Sequence, residues 1–211
     1  MKLVIFGANG PVGKLLIRQA LAEGHTVSGV TRHPDTFPIQ HDNLNVLSGD
    51  VFNAADVARA INGHDAVLSV VGVPYTRKPV SVYSMGTANI IDAMHSAGIH
   101  RLVCCTSGGT NPKYDPAEGF IFGRIIKPFI GRTLYADMRR MEEIVMASNL
   151  DWTIVRPAQL VDGAMVSQYR VEEKYMIPGN TKTARIDLAD FMLKEATHPK
   201  YLHKAVAVAT R

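Results

Sequence analysis

Along the chain, short apolar runs alternate with stretches in which apolar residues recur at helical spacing. Lys2 to Phe6 (KLVIF) has the length of a buried strand. Val12, Leu15, Leu16 and residues 19–21 then follow a helical period as far as Glu23-Gly24. Thr26 to Val30 and Leu44 to Leu47 read as the next two strands, separated by a loop from His33 to Asn43 that holds Pro34 and Pro38. Ala54 to Ile61 is a helix closed by Asn62-Gly63. Asp65 to Val71 is a nearly unbroken apolar run, as expected of a strand covered on both faces. A long helix is expected over Pro79 to Ala97, stopped by Gly98, with Tyr83 and Asn89 assigned to packing. Arg101 to Cys105 is a fifth strand, Thr133 to Ser148 a helix with Leu134, Met138, Met141 and Val145 on one face, and Trp152 to Val155 a sixth strand. Residues 167 to 178 alternate enough to predict a short hairpin. Asp187 is expected to cap a helix over 188–197, and Ala205 to Ala209 is the last strand. Alternating β and α segments predict one α/β domain over residues 1–211, with a doubly wound, mainly parallel sheet.

The chemistry concentrates at the first strand-to-helix turn. Gly7, Gly10 and Gly13 follow the strand in the spacing G-x-x-G-x-x-G, and Pro11 stands where a helix opens. Free N–H groups at a helix N-terminus make an anion site, so Gly7, Asn9, Gly10, Pro11, Val12 and Gly13 are candidates for holding a dinucleotide pyrophosphate, as in a Rossmann-like fold. The alternative is a tight turn that binds nothing. Arg32, closing the second strand, suits the 2′-phosphate of NADP where an acidic residue would suit NAD; the competing reading is a surface charge. Asp50 and Val51 follow the third strand at the edge where open α/β sheets bind ligands, though Asp50 could equally organise its own turn. Val71 and Gly72 end the fourth strand, where bare backbone can pass close to ribose and nicotinamide. Thr106 and Ser107 end the fifth, and a hydroxyl there can orient an acceptor; a serine opening the Gly108-Gly109 turn is the plainer reading.

The turn GANGPVG followed by Arg32 resembles the atypical short-chain dehydrogenase/reductases with an NmrA-like nucleotide fold. Within them, the chain is similar to the NADPH-dependent flavin reductase/biliverdin-IXβ reductase group. The likeness continues through SGDVFNAADV (48–57), DAVLSVVG (65–72), LVCCTSG (102–108), RMEEIVMASNLDWTIVRP (140–157) and DLADFML (187–193). It implies NADPH as cofactor, Asp50 and Val51 beside the adenine, Ser107 on the substrate side and Pro157 beside the nicotinamide. Two positions depart from the group: Gln159 stands where a histidine is expected, and Thr36 where a second arginine is expected. The resemblance implies hydride transfer to a flavin or similar planar ring, with flavin as substrate. The alternative is a non-catalytic NADP-sensing regulator of the NmrA kind.

The Tyr-x-x-x-Lys pair of short-chain dehydrogenases is missing. Tyr135-Ala-Asp-Met-Arg139 keeps the spacing with arginine, which leaves Tyr135 a candidate acid of altered geometry. A flavin can collect its proton from solvent, so this loss is compatible with flavin reduction. The same loss, with the short stretch after Pro157, disfavours a sugar-nucleotide epimerase or dehydratase. Thr110 to Arg132 is irregular but apolar (Phe120, Ile121, Phe122, Ile125, Ile126, Phe129, Ile130) and reads as a lid over a flat ligand or as a dimer surface. The substrate-side lid is expected from about 108–132 and 158–185.

Composition narrows the classes. A net charge of +4 with no run of like charges argues against nucleic acid. Lys113 to Arg140 carries six basic and three acidic residues, a local excess able to attract an anionic acceptor. No apolar span is long enough for a membrane, and no cleavable leader is read, so a cytoplasmic monomer or homodimer with no membrane partner is expected. Cys104 and Cys105, adjacent on a strand, point to opposite faces and are expected to stay reduced. The eight histidines show no metal-binding spacing, so no metal is expected.

Overall fold

In the computed structural model, which describes residues 1–211 with the side chain of Ile130 excepted, the apolar run Lys2–Phe6 becomes the central strand β1. The others are β2 (Thr26–Thr31), β3 (Leu44–Ser48), β4 (Ala66–Ser69), β5 (Arg101–Cys105), β6 (Asp151–Pro157), β7 (Gln159–Val161), β8 (Tyr169–Glu172), β9 (Lys182–Ala184) and β10 (Lys204–Thr210). Eight of them form one sheet in the order β3-β2-β1-β4-β5-β6-β10-β8, parallel throughout except for the last pair, β10 with β8. The helices are α1 (Pro11–Ala22), α2 (Ala54–Ile61), α3 (Val82–Ala97), α4 (Arg132–Met146) and α5 (Arg185–Thr197). This is the Rossmann-like, doubly wound α/β fold expected.

Strand residues alternate between two apolar layers, which is why the strands read as unbroken apolar runs. Leu3 and Ile5 enter the core under α1 and α5, while Val4 and Phe6 enter the core under α2, α3 and α4. Cys104 and Cys105 divide in the same way. Burial pushes both thiols up, Cys105 to about 12. Neither holds appreciable thiolate near pH 7. Ellman's reagent is therefore expected to leave buried Cys104 unreacted in the native chain. It should react more slowly with Cys105, which lines a cavity beyond the strand ends, than with a free thiol, and should find both after denaturation.

Four expectations change. First, α3 starts at Val82, three residues beyond Pro79, because its start is set from another helix. No side chain caps it locally. Asp137 of α4 instead accepts from the backbone N–H of Tyr83 (2.9 Å) and Ser84 (3.4 Å) and from the Ser84 hydroxyl. Asp137→Ala should cost about 2 kcal/mol, at the upper end for a helix cap, because the donors left behind are buried; chemical denaturation reads this directly. Second, 167–178 is not a hairpin: β8 pairs with β10, and β9 pairs in parallel with β7. The alternating pattern was matched by a distant strand instead of a near one. Third, Asp187 is not a cap. The helix begins at Arg185, and Asp187, fully buried, accepts from the Ser167 N–H and hydroxyl and the Thr210 hydroxyl, each at 2.7 Å. Fourth, Thr110 to Arg132 is irregular only in its first part, 111–115. Its core is a π-helical run, Phe122–Ile130, containing Pro128, preceded by a 3-10 turn at Pro116–Glu118. Gly123 and Pro128 interrupt the sequence period that would have announced it. The side chain of Ile130, counted in that apolar stretch, lies outside the described residues. Among the described residues no helix is long and apolar enough to cross a membrane.

Candidate functional site

The sheet changes winding direction between β1 and β4, which are neighbours although β2, β3 and α2 intervene in sequence. Ligands of open α/β sheets bind at such a point, beyond the carboxyl ends of the strands. There the structure holds a cavity of about 1400 Å³. The first turn forms one end. Gly7 has φ +83, and a Cβ there would stand 2.7 Å from the Val70 carbonyl oxygen. A Cβ on Gly13 would run into the Gly7 carbonyl oxygen, so helix and strand can meet this closely only with glycine. α1 begins at Pro11 with Gly10 as its cap residue and no capping side chain. Its first-turn N–H groups thus remain available to an anion, and the cradle fits a pyrophosphate.

Gly7, Asn9, Gly10, Pro11, Val12, Arg32, Asp50, Val51, Val71, Gly72, Thr106, Ser107, Tyr135, Pro157 and Gln159 all line this one cavity. Gly13 stands just behind it, packed on the turn. Arg32 is exposed and makes no hydrogen bond or ion pair among the described residues. Asp50 performs its turn role: Oδ1 accepts from the Phe52 N–H at 3.0 Å. The Val51 carbonyl accepts from Asn89 Nδ2 at 2.8 Å, so Asn89 fixes this edge of the cavity. The Tyr83 hydroxyl accepts from the Val73 N–H at 3.3 Å and holds the loop after β4; burial is the main cause that pushes this phenol to about 12.

At the other end, Ser107 Oγ accepts from the Gly109 N–H at 3.1 Å and stands beside the Tyr135 phenol. Thr106 has its hydroxyl committed, donating to Glu142 Oε1 at 2.7 Å. Glu142 is the hub of a buried network that sequence reasoning missed. It takes Arg156 through two bonds (3.0 and 2.7 Å) and the Thr110 hydroxyl at 3.1 Å. The Arg156 guanidinium lies 4.0 Å from the centre of the Tyr175 ring. The network ties the carboxyl ends of β5 and β6 to α4 through Thr106 and Thr110, on either side of Ser107 in the chain. Nothing local in RMEEIVMASNLDWTIVRP announces a pair fourteen residues apart that meets only when β6 returns alongside α4.

Tyr135 is buried, and its hydroxyl meets that of Tyr75 at 2.6 Å. Burial first, and then Tyr75, push its pKa far up, with Ser107 pulling the other way. No basic side chain bonds to it among the described residues, Arg139 included. Apolar wall comes from Ile121, Phe122, Ile126, Leu160 and Met176. Phe120 and Phe129 of the same segment are exposed. Among the described residues, no group of three His, Cys, Asp or Glu side chains is placed to hold a metal ion.

Comparisons with known proteins bear on the same region. An uncharacterized protein of Mycobacterium tuberculosis is 33% identical over 177 residues, covering 74% of this chain and 20% of that protein. The chain thus spans about a fifth of the length of the first curated relatives it matches. A UPF0659 protein of Saccharomyces cerevisiae is 29% identical over 211 residues, covering 94% of this chain and 88% of its own. Among solved structures, a short-chain dehydrogenase/reductase from Veillonella parvula in complex with NADP shares the fold, with a TM-score of 0.83, 16% identity and coverage of 99% and 94%. ChuY, an anaerobillin reductase from Escherichia coli O157:H7, superposes with a TM-score of 0.75 at 23% identity, covering 100% of this chain and 97% of its own. The chain belongs to the NAD(P)H-binding family, which it matches over residues 7–199.

Proposed function

We propose that the protein is an NADPH-dependent reductase that passes hydride to a flavin or similar planar ring, in the manner of the flavin reductase/biliverdin-IXβ reductase group. One observation carries this reading: a single cavity joins the glycine cradle and Arg32 to Ser107 and an apolar wall. A dinucleotide held at the first end has room for an acceptor at the second. The name of the anaerobillin reductase that shares the fold is in keeping with a ring acceptor.

In this reading the first-turn N–H groups of α1 take the pyrophosphate, and Arg32 takes the 2′-phosphate. Asp50 and Val51 border the adenine; Val71, Gly72 and Pro157 border the ribose and nicotinamide. When bound, the nicotinamide supplies the hydride. Ser107 offers its proton to a carbonyl or ring nitrogen of the acceptor and so fixes its orientation. The lid residues Phe122 and Ile126 exclude water from one side. Gln159 can hydrogen-bond an acceptor but does not ionise near neutral pH, so it cannot act as an acid. A flavin draws its proton from solvent, which removes the need for an acid at Tyr135.

The test is NADPH oxidation with FMN and a panel of quinoid acceptors, in the wild type and in Ser107→Ala. Turnover that falls in the variant while NADPH binding persists is the expected result. Tight NADPH binding with no turnover across the panel would replace the reductase by the sensor.

A further inference from the structure

Tyr75, on the loop after β4, has no part in the assignments above. It lines the cavity and leaves 52% of its surface open. Yet it is held at both ends. Its hydroxyl is bonded to the Tyr135 hydroxyl at 2.6 Å, with the two rings edge to face, centroids 6.2 Å apart and planes at 66°. The backbone just beyond it is pinned to α4, because the Thr133 hydroxyl donates to the carbonyls of Thr76 (3.3 Å) and Lys78 (3.0 Å).

The holder is rigid in turn. Tyr135 packs edge to face with Phe122, at 6.0 Å and 81°. Its ring is also clamped between Gly109 and Gly131, where an added Cβ would come 2.5 Å from ring carbons on either side. A free surface tyrosine moves among rotamers, and ordering it on binding costs affinity. Here that ordering is done before any ligand arrives. An open, immobilised aromatic face on a cavity wall is what a flat ring system needs for stacking.

We propose that Tyr75 is the stacking platform for the planar acceptor, and that Tyr135 is the positioning residue that fixes it. This rests on the planar-ring reading of the site. It also gives the Tyr135 phenol a use that does not require it to be acidic. The Tyr-x-x-x-Arg spacing then marks an anchor on α4.

The experiment is titration of FMN into the protein without nucleotide, followed by quenching of flavin fluorescence. Tyr75→Leu should weaken FMN by roughly tenfold to a hundredfold, the range for losing one aromatic stacking partner. NADPH affinity should hold to within about twofold. Tyr75→Phe and Tyr135→Phe keep both rings; the first loses the shared hydroxyl bond, the second that bond and the Ser107 contact. Each should weaken FMN severalfold, and the double variant should be no worse than Tyr135→Phe, because the shared bond is already lost there. Wild-type binding that Tyr75→Leu leaves unchanged would overturn the platform and spare the planar-ring reading. A wild type that neither binds FMN nor reduces FMN or menadione would overturn both. Turnover abolished in Tyr135→Phe with FMN affinity intact would make Tyr135 the acid and end its positioning role.

Discussion

Arg156→Leu is expected to lower stability by about 3–5 kcal/mol, the cost of leaving a buried partner charge uncompensated. Glu142 and Arg156 are only 6% and 7% exposed at their side chains, so water cannot replace the lost guanidinium. For a chain of this size the melting temperature should fall by roughly 6–20 °C. Glu142→Leu should cost a similar amount, since it strands the guanidinium and also releases the hydroxyls of Thr106 and Thr110. The double variant, with leucine at both positions, is the informative one. Removing both charges removes the uncompensated desolvation, so its loss should be well below the sum of the singles. Strict additivity in thermal or urea unfolding would show that the two side chains do not act as a pair. The network also bears on the proposed activity. Ser107 stands between two of its threonines, so either single variant is expected to lower turnover even at temperatures where the chain remains folded.

Arg32→Ala should weaken NADPH roughly tenfold to a hundredfold and leave NADH nearly unchanged, because a charge-assisted contact to a 2′-phosphate is available only to the first. The geometry favours a clean result. Arg32 is exposed at the cavity edge and bonds to no other side chain among the described residues, so its removal disturbs no internal partner. Protein fluorescence or calorimetric titration with both nucleotides decides the matter. Equal losses for the two would remove the 2′-phosphate role. Raising the salt should also weaken NADPH more than NADH in the wild type, since the proposed contact is with an exposed charge.

Much of the fold was legible because it depends on short-range rules. Lys2–Phe6, Ala54–Ile61 and Arg101–Cys105 begin and end where apolar runs, helical periods and glycine stops put them. The first turn was legible for the same reason: three glycines and a proline after a strand specify it locally. The hairpin expected over 167–178 failed because strand pairing is a long-range choice, and β10 offered a better edge than the chain's own return. The start of α3 failed because its cap, Asp137, belongs to α4.

The sequence by itself determined an α/β chain with a glycine-rich turn after its first strand and a hydroxyl at the end of its fifth. Local spacing is enough to specify both. Only the tertiary structure decided that Glu142 and Arg156 form a pair joining α4 to the ends of β5 and β6, that Tyr135 is clamped between two glycines, and that Tyr75 stands open beside it. Side chains separated by 14 to 60 residues have no spacing to read, and they acquire partners only when the sheet brings them to the same edge.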